Sequence, residues 1–211
     1  YTIDLADPAH PKQAAELVMP GWIYHMEPLG DRLVGFGYED DRSLQVSLFD
    51  VTDLKKPSML KRVYFGSGSG SFAEDQDRMH KALQILPEQG LILVPFASYG
   101  RWSGNNCSAP SSGIQLIDMS HDTITARGVA PQYGMPRRAF THRDRIVGIS
   151  DRNVSVFRAD NRDAPVKTTE LDLSNPAYKI VSAGENLLTI TNDWFTGEAV
   201  LSITLKHGAD N

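Results

Sequence analysis

Apolar residues in this chain fall in short runs such as "RLVGFGY", "LQVSLFD", "LILVPFAS" and "RIVGIS", separated by Gly, Asp, Asn and Pro. No long window carries apolar positions at helical spacing. Short apolar runs between turn formers predict β-strands.

The runs recur. "YTIDLADPAHP" (1–11) and "SLFDVTDLKKP" (47–57) align at an offset of 46 residues. Asp4 then matches Asp50, Asp7 matches Asp53 and Pro11 matches Pro57, and the match continues to Met19 and Phe65. Further copies are "IQLIDMSHDTITARGV", with Asp118 in the key place, and "VSVFRADNRDAPVKTTELDL", where Arg158 replaces the Asp but Pro165 keeps the spacing. "VLSITLKH" begins a fifth. Between these copies lie strand–turn–strand units in which Leu33, Leu91, Ile146 and Leu187 are equivalent, at spacings of 58, 55 and 41. A self-similar period of this size marks a propeller or an array.

Each full repeat supplies four strands, a to d. The expected organisation is all-β: one β-propeller domain over 1–211, built from four-stranded antiparallel blades. Residues 1–21 give strands c and d of a preceding blade. Blades follow at 22–66, 78–130 and 137–173, and 177–206 forms an incomplete blade without strand d. Joining the ends leaves one c strand too many for a neat four-blade ring. The expectation is therefore about four blades of a larger propeller, whose missing remainder or another chain covers the open ends. A compact four-blade ring and a partner-completed ring stay open as alternatives. The phrase "VSLFDV" reads as a buried strand c, with Asp50 and Asp53 bonding nearby backbone N–H groups to hold the turn. These aspartates do not follow a calcium-loop pattern.

Composition narrows the classes. With 41% apolar and 22% charged residues, the chain is globular and turn-rich. No apolar run is long enough for a membrane-spanning helix. The net charge of −5 argues against nucleic acid as a partner. Cys107 is the only cysteine, which excludes a disulfide framework, and its loop setting offers no base to activate it. Tyr1 is not a natural start, and the reading expects upstream sequence to have been lost. The six histidines show no metal-ligand spacing, so neither a metal nor a cofactor is expected. The Gly/Ser tract 66–71 lacks the ending of a phosphate loop and reads as a flexible connection. Asn106 and Asn153 fit the glycosylation acceptor pattern.

"IDLADPAHPKQAAELVMPGW", "GDRLVGFGYE", "VSLFDVTDLKKP" and "HKALQILPEQGLILVPF" resemble a family of poorly characterised prokaryotic proteins, secreted or envelope-attached, with a C-terminal β-propeller domain distantly like WD-type repeats. The resemblance is strongest over residues 1–100. Beyond about 113 only the repeat grammar supports it. It implies a propeller and an extracytoplasmic location, and it supplies no catalytic residue set.

Strands in a blade alternate direction, so the a–b and c–d turns share one face, and the b–c and d–a loops share the other. The first face has short turns: "LGDR", "LPEQG", "HRDR" and "SAGEN". The second has long, irregular loops at 66–78, 99–113 and 192–199, and is the expected functional face. There the inner strands begin with aromatic and basic residues: Trp22, Tyr24 and His25; His80 and Lys81; Arg137 and Arg138; Tyr178 and Lys179. Rings offer stacking surface, and guanidinium groups suit carboxylates and phosphates. If these cations surround one mouth they would favour an anionic or carbohydrate-like ligand. The competing reading pairs them with Asp75, Asp77 and Asp193, as surface charges usually do.

Two functions follow. The first is a non-enzymatic extracytoplasmic binding module that presents loops to a protein or glycan. The second is a hydrolase or lyase-type enzyme at the channel rim, needing residues beyond this chain, with His80 as general acid/base. A His80–carboxylate pair in a closed pocket would favour the enzyme.

Overall fold

The computed structural model describes residues 1–40, 42–66, 70–99, 102–103, 106–107, 111–173, 177–192 and 197–208. The architecture is all-β. Strands β1 (Thr2–Asp4) and β2 (Lys12–Ala15) form an antiparallel pair. Strands β3 (Trp22–Leu29), β4 (Arg32–Tyr38), β5 (Leu44–Asp50) and β6 (Ser58–Phe65) make the first full blade, in sequence order. The second blade contains β7 (Gly70–Phe72), the helical turn α1 (Met79–Ala82), β8 (Gln84–Leu86), β9 (Leu91–Ser98), β12 (Ser111–Met119) and β13 (Ile124–Pro131). A small pair, β10 (Trp102–Ser103) and β11 (Asn106–Cys107), lies in its b–c loop. The third blade is β14 (Pro136–His142), β15 (Arg145–Ser150), β16 (Asn153–Arg158) and β17 (Val166–Asp172). The fourth sheet is β18 (Ala177–Ala183), β19 (Asn186–Asn192) and β20 (Ala199–Leu205).

The core lies between blades because the middle strands are apolar on both faces. In β9 all eight residues are buried. Ile92, Val94 and Phe96 face the first blade and pack with Val46, Leu48 and Phe36. Leu91 and Leu93 face the third blade and pack with Ala139, Ile146 and Phe157. A strand of period two can be apolar throughout only when both faces are covered. On the outer side of the first blade, Leu17 and Met19 line an apolar cleft with Ile23, Leu33 and Phe49. The β1–β2 pair is tied there by Thr2, whose Oγ1 donates to the Leu54 carbonyl at 2.7 Å. On the fourth sheet, by contrast, Leu201, Ile203 and Leu205 are exposed.

The repeated phrase is a repeated turn. The backbone N–H of Ala9, Lys55 and Asp163 donates to the side-chain oxygen of Asp7, Asp53 and Asn161, at 3.1, 2.9 and 3.0 Å. In each copy the next residue closes a backbone bond to the carbonyl of the same residue: His10 to Asp7, Lys56 to Asp53 and Ala164 to Asn161. Asp4 and Asp50 accept in the same way from the backbone N–H of Ala6 and Thr52. Asp118 departs from this role. It accepts from Arg162 and pairs with Arg127 at 3.2 Å.

Arginines lock neighbouring blades together at this face. Arg162, in the c–d turn of the third blade, reaches the carbonyls of Gln89 and Gly90 and the carboxylate of Asp118 in the second. Arg32, at the start of β4, donates to Asp50 within its own blade. It also reaches the His121 carbonyl and Asp122 in the next. Asp122 is held below the usual carboxylate range chiefly by Arg32 and then by His121. Asp50 is lowered first by the hydrogen bonds from Thr52, and to a lesser degree by Arg32.

One expected element is rearranged. Strand a of the second blade, expected to begin with His80 and Lys81, is two short strands separated by residues 73–83. Both β7 and β8 pair with β9. The Gly/Ser tract is correspondingly shorter than a flexible connection over 66–71, since Gly70 and Ser71 belong to β7; residues 67–69 lie outside the described ones. Asn153 is buried and is no accessible glycan acceptor.

Two predictions follow from these turns and locks. The a–b turns place a residue at positive φ in every blade: Gly30, Gly90, Arg143 and Gly184, at 67°, 56°, 55° and 61°. Three are glycine, and the arginine carries a Cβ where an L side chain is disfavoured. Arg143→Gly should raise stability by about 0.5 kcal/mol, the relieved strain exceeding the extra chain entropy of glycine, as read by urea denaturation. The lowered carboxylates Asp122 and Asp50 stabilise the fold above their ordinary pKa of 3.8, and that contribution is lost as pH falls through their depressed folded values. Melting temperature should therefore drop on acidification below about pH 4. In Arg32→Gln the drop should be shallower, because the Asp122 carboxyl returns toward its ordinary value.

Candidate functional site

The inner strands are irregular at one place. Strand β3 breaks register with β4 between Ile23 and His25, β14 with β15 between Pro136 and Arg138, and β18 with β19 between Ala177 and Lys179. Each is a bulge, and the extra residue is Tyr24, Arg137 or Tyr178. A bulge sets two residues against one on the partner strand and re-aims their side chains. In the second blade the same region is opened further by the inserted residues 73–83. The aromatic and basic residues singled out at the beginnings of the inner strands are thus the bulged residues and their neighbours.

In the first blade these side chains are largely satisfied. Trp22 stacks on Tyr38 at 5.1 Å between ring centroids. Tyr24 packs between Tyr38 and Phe72 at 5.7 and 5.8 Å. Burial first, and then the charge of Asp75, raise the Tyr24 phenol above its ordinary value, so it stays protonated at neutral pH. The His25 ring bonds Glu27 at 2.7 Å and is mostly buried. These residues shape the rim more than they offer free binding groups, although Trp22 remains half exposed.

Between the second and third blades the arrangement is different. Arg78 and Lys81 come from the insertion, and Arg137 and Arg138 from the bulge of β14. They line one hollow of about 290 Å³ with Glu74. Met79 and Ala82 anchor the insertion by burying their side chains in the core. Residues 78 and 81, one helical turn apart, therefore share the opposite, exposed side. The bulge places two consecutive arginines at the same hollow, where a regular strand would send one to each face.

The other predicted residues lie elsewhere. His80 is exposed, does not line the hollow, and has no hydrogen-bond or carboxylate partner among the described residues. It sits in the helical turn and not at the start of a strand. Tyr178 lines a separate hollow of about 660 Å³ with Asp151, Arg152 and Asn192, and Lys179 lines neither. Arg78 and Glu74, at the cationic hollow, were not among the predicted site residues. Their signal was present, since both belong to the long d–a loop directly before His80 and Lys81. Among the described residues no cluster of His, Cys, Asp or Glu could hold a metal ion. The side chain of Cys107 and the whole of Asp193 lie outside the described residues.

The stacked four-stranded sheets, with their inner-strand irregularities gathered at one end, are those of a β-propeller. The model of the beta propeller domain family matches residues 1–191, and the chain belongs to that family. It is 43% identical over 56 residues to an uncharacterized protein of Methanocaldococcus jannaschii, covering 26% of this chain and 9% of that protein. It is 26% identical over 101 residues to an uncharacterized protein of Archaeoglobus fulgidus, covering 47% of this chain and 16% of that one. The matches thus span a small part of these relatives' length. A crystal structure of a protein from Lactobacillus plantarum aligns over 92% of this chain and 59% of its own, at 12% identity and a TM-score of 0.49.

The bulge of the first blade depends on Gly37. A Cβ there would run into the carbonyl oxygen of Trp22 across the β3–β4 pair. Gly37→Ala should cost about 1–3 kcal/mol, as overpacking does. It should also weaken the near-ultraviolet circular dichroism of the Trp22–Tyr38 stack, while Gly30→Ala, whose Cβ meets nothing within 4 Å, should leave that signal intact.

Proposed function

We propose that this propeller is a non-enzymatic, extracytoplasmic binding module that presents its b–c/d–a face to a glycan or protein partner. One observation carries the reading. At that face basic and aromatic side chains from adjacent blades surround open hollows, while His80 has no carboxylate partner among the described residues. General acid/base chemistry needs a positioned proton carrier, and a solvated histidine without an orienting partner is a poor one. A propeller supplies a rigid frame for loops, and binding residues concentrate on such loops. The extracytoplasmic location rests on the family resemblance of the first hundred residues. The exposed Leu201, Ile203 and Leu205 support a further sheet seated there in the assembled protein, because the matching faces of β5 and β12 are covered by neighbouring blades.

The expected outcome on an array of cell-envelope glycans is retention of at least one ligand, recovered with unchanged mass after prolonged incubation. Release of shortened or unsaturated sugars would replace the binding module with a hydrolase or lyase. Protease treatment of intact source cells should cleave the protein, and complete protection would place it inside the cell.

A further inference from the structure

Among the described residues half of the arginines of this chain are neutralised by a neighbouring carboxylate. Arg32, Arg62, Arg127, Arg145, Arg158 and Arg162 each lie within 4.0 Å of a carboxylate. The hollow between the second and third blades gathers three of the others. Arg78, Lys81, Arg137 and Arg138 line it together, and none of the four forms an ion pair with a described residue. Asp75 and Asp77, close by in sequence, do not pair with them. The chain as a whole carries −5. Four like charges around one concavity repel one another, and the concavity focuses their field. The fold holds them together through a bulge and an anchored insertion, although pairing with the abundant acids would relieve the repulsion.

From this arrangement we infer that the hollow binds the acidic group of a glycan: a sugar carboxylate, phosphate or sulfate with a hydroxyl beside it. The inference rests on the glycan-binding reading above and names the ligand class. The guanidinium groups offer planar pairs of N–H donors that match a carboxylate or phosphate edge. Lys81 adds a point charge. Glu74, the one acidic side chain lining the hollow, has no role toward a bare anion and would repel it. It suits a ligand that presents a donor next to its charge, because its carboxylate can accept from a sugar hydroxyl. A hollow of about 290 Å³ has room for a monosaccharide unit or less and leaves the rest of a polymer to run along the loop face.

The test is calorimetric titration of the 211-residue chain with a uronate oligosaccharide, a neutral oligosaccharide of equal length, a sugar phosphate and inorganic phosphate. The acidic sugars should bind, should bind better than phosphate alone, and should weaken as salt is raised. Arg137→Gln combined with Arg138→Gln should weaken them by about tenfold or more. Both side chains are exposed, so the melting temperature should stay near that of the unaltered chain. Glu74→Gln should narrow the preference for acidic sugars over phosphate by strengthening phosphate. Acidic sugars that fail to bind at millimolar concentration, or that bind equally to the double variant, overturn the inference. If the neutral oligosaccharide binds equally well, the inference falls and the glycan-binding reading stands. If no oligosaccharide binds, both fall on the glycan side.

Discussion

The second blade of this protein could not be stable alone, because its strand β9 is buried on both faces along its whole length. Leu93 and Val94 are neighbours in sequence, point in opposite directions, and are both completely buried. Each needs a different sheet to cover it. The second blade is therefore part of the core of the first and of the third, and the order of the chain becomes the order of the stack. The two ends of the blades are then free to do different things.

One end is standardised. The same side-chain-capped turn occurs at Asp7, Asp53 and Asn161, and the a–b turns set one residue at positive φ in each blade. Arg32 and Arg162 cross from blade to blade and satisfy backbone carbonyls as well as carboxylates. Such partly buried, charge-assisted bonds fix how far one sheet can rotate on the next. The other end is individual. Bulges at Tyr24, Arg137 and Tyr178 and an insertion at residues 73–83 interrupt the inner strands there. Rigidity at the first end allows variation at the second without loss of register.

The fold was legible because its determinants are local and repeated. The Asp/Asn-capped turn phrase, the short a–b turns and the apolar strand runs all have short-range causes, and their copies reinforce one another. What escaped was the place where a copy departs from the others. The segment "FAEDQDRMHKALQ" has no long helical period, and one turn of helix needs none, since the burial of Met79 and Ala82 fixes it. Asp118 looks like Asp50 in sequence, but Arg127 and Arg162, nine and forty-four residues on, claim it. The candidate site was half legible. Lys81, Arg137 and Arg138 stood out by type and position. Arg78 and Glu74 looked like ordinary members of a polar loop. Lys179 looked equivalent to Arg138 but lines neither hollow.

The bulges carry a consequence for how such a surface can change. A bulged residue lies outside the hydrogen-bond ladder, so strand pairing does not dictate what it must be, and at the exposed Arg137 and Tyr178 the core does not either. In three of the blades that position is held by Tyr24, Arg137 and Tyr178, and in the fourth an insertion stands in its place. At its irregular end the protein thus carries sites of low structural constraint on a frame of high constraint. The chemistry of that end can be rewritten one blade at a time, a substitution at Arg137 or Tyr178 altering its hollow and leaving the sheets beneath it undisturbed.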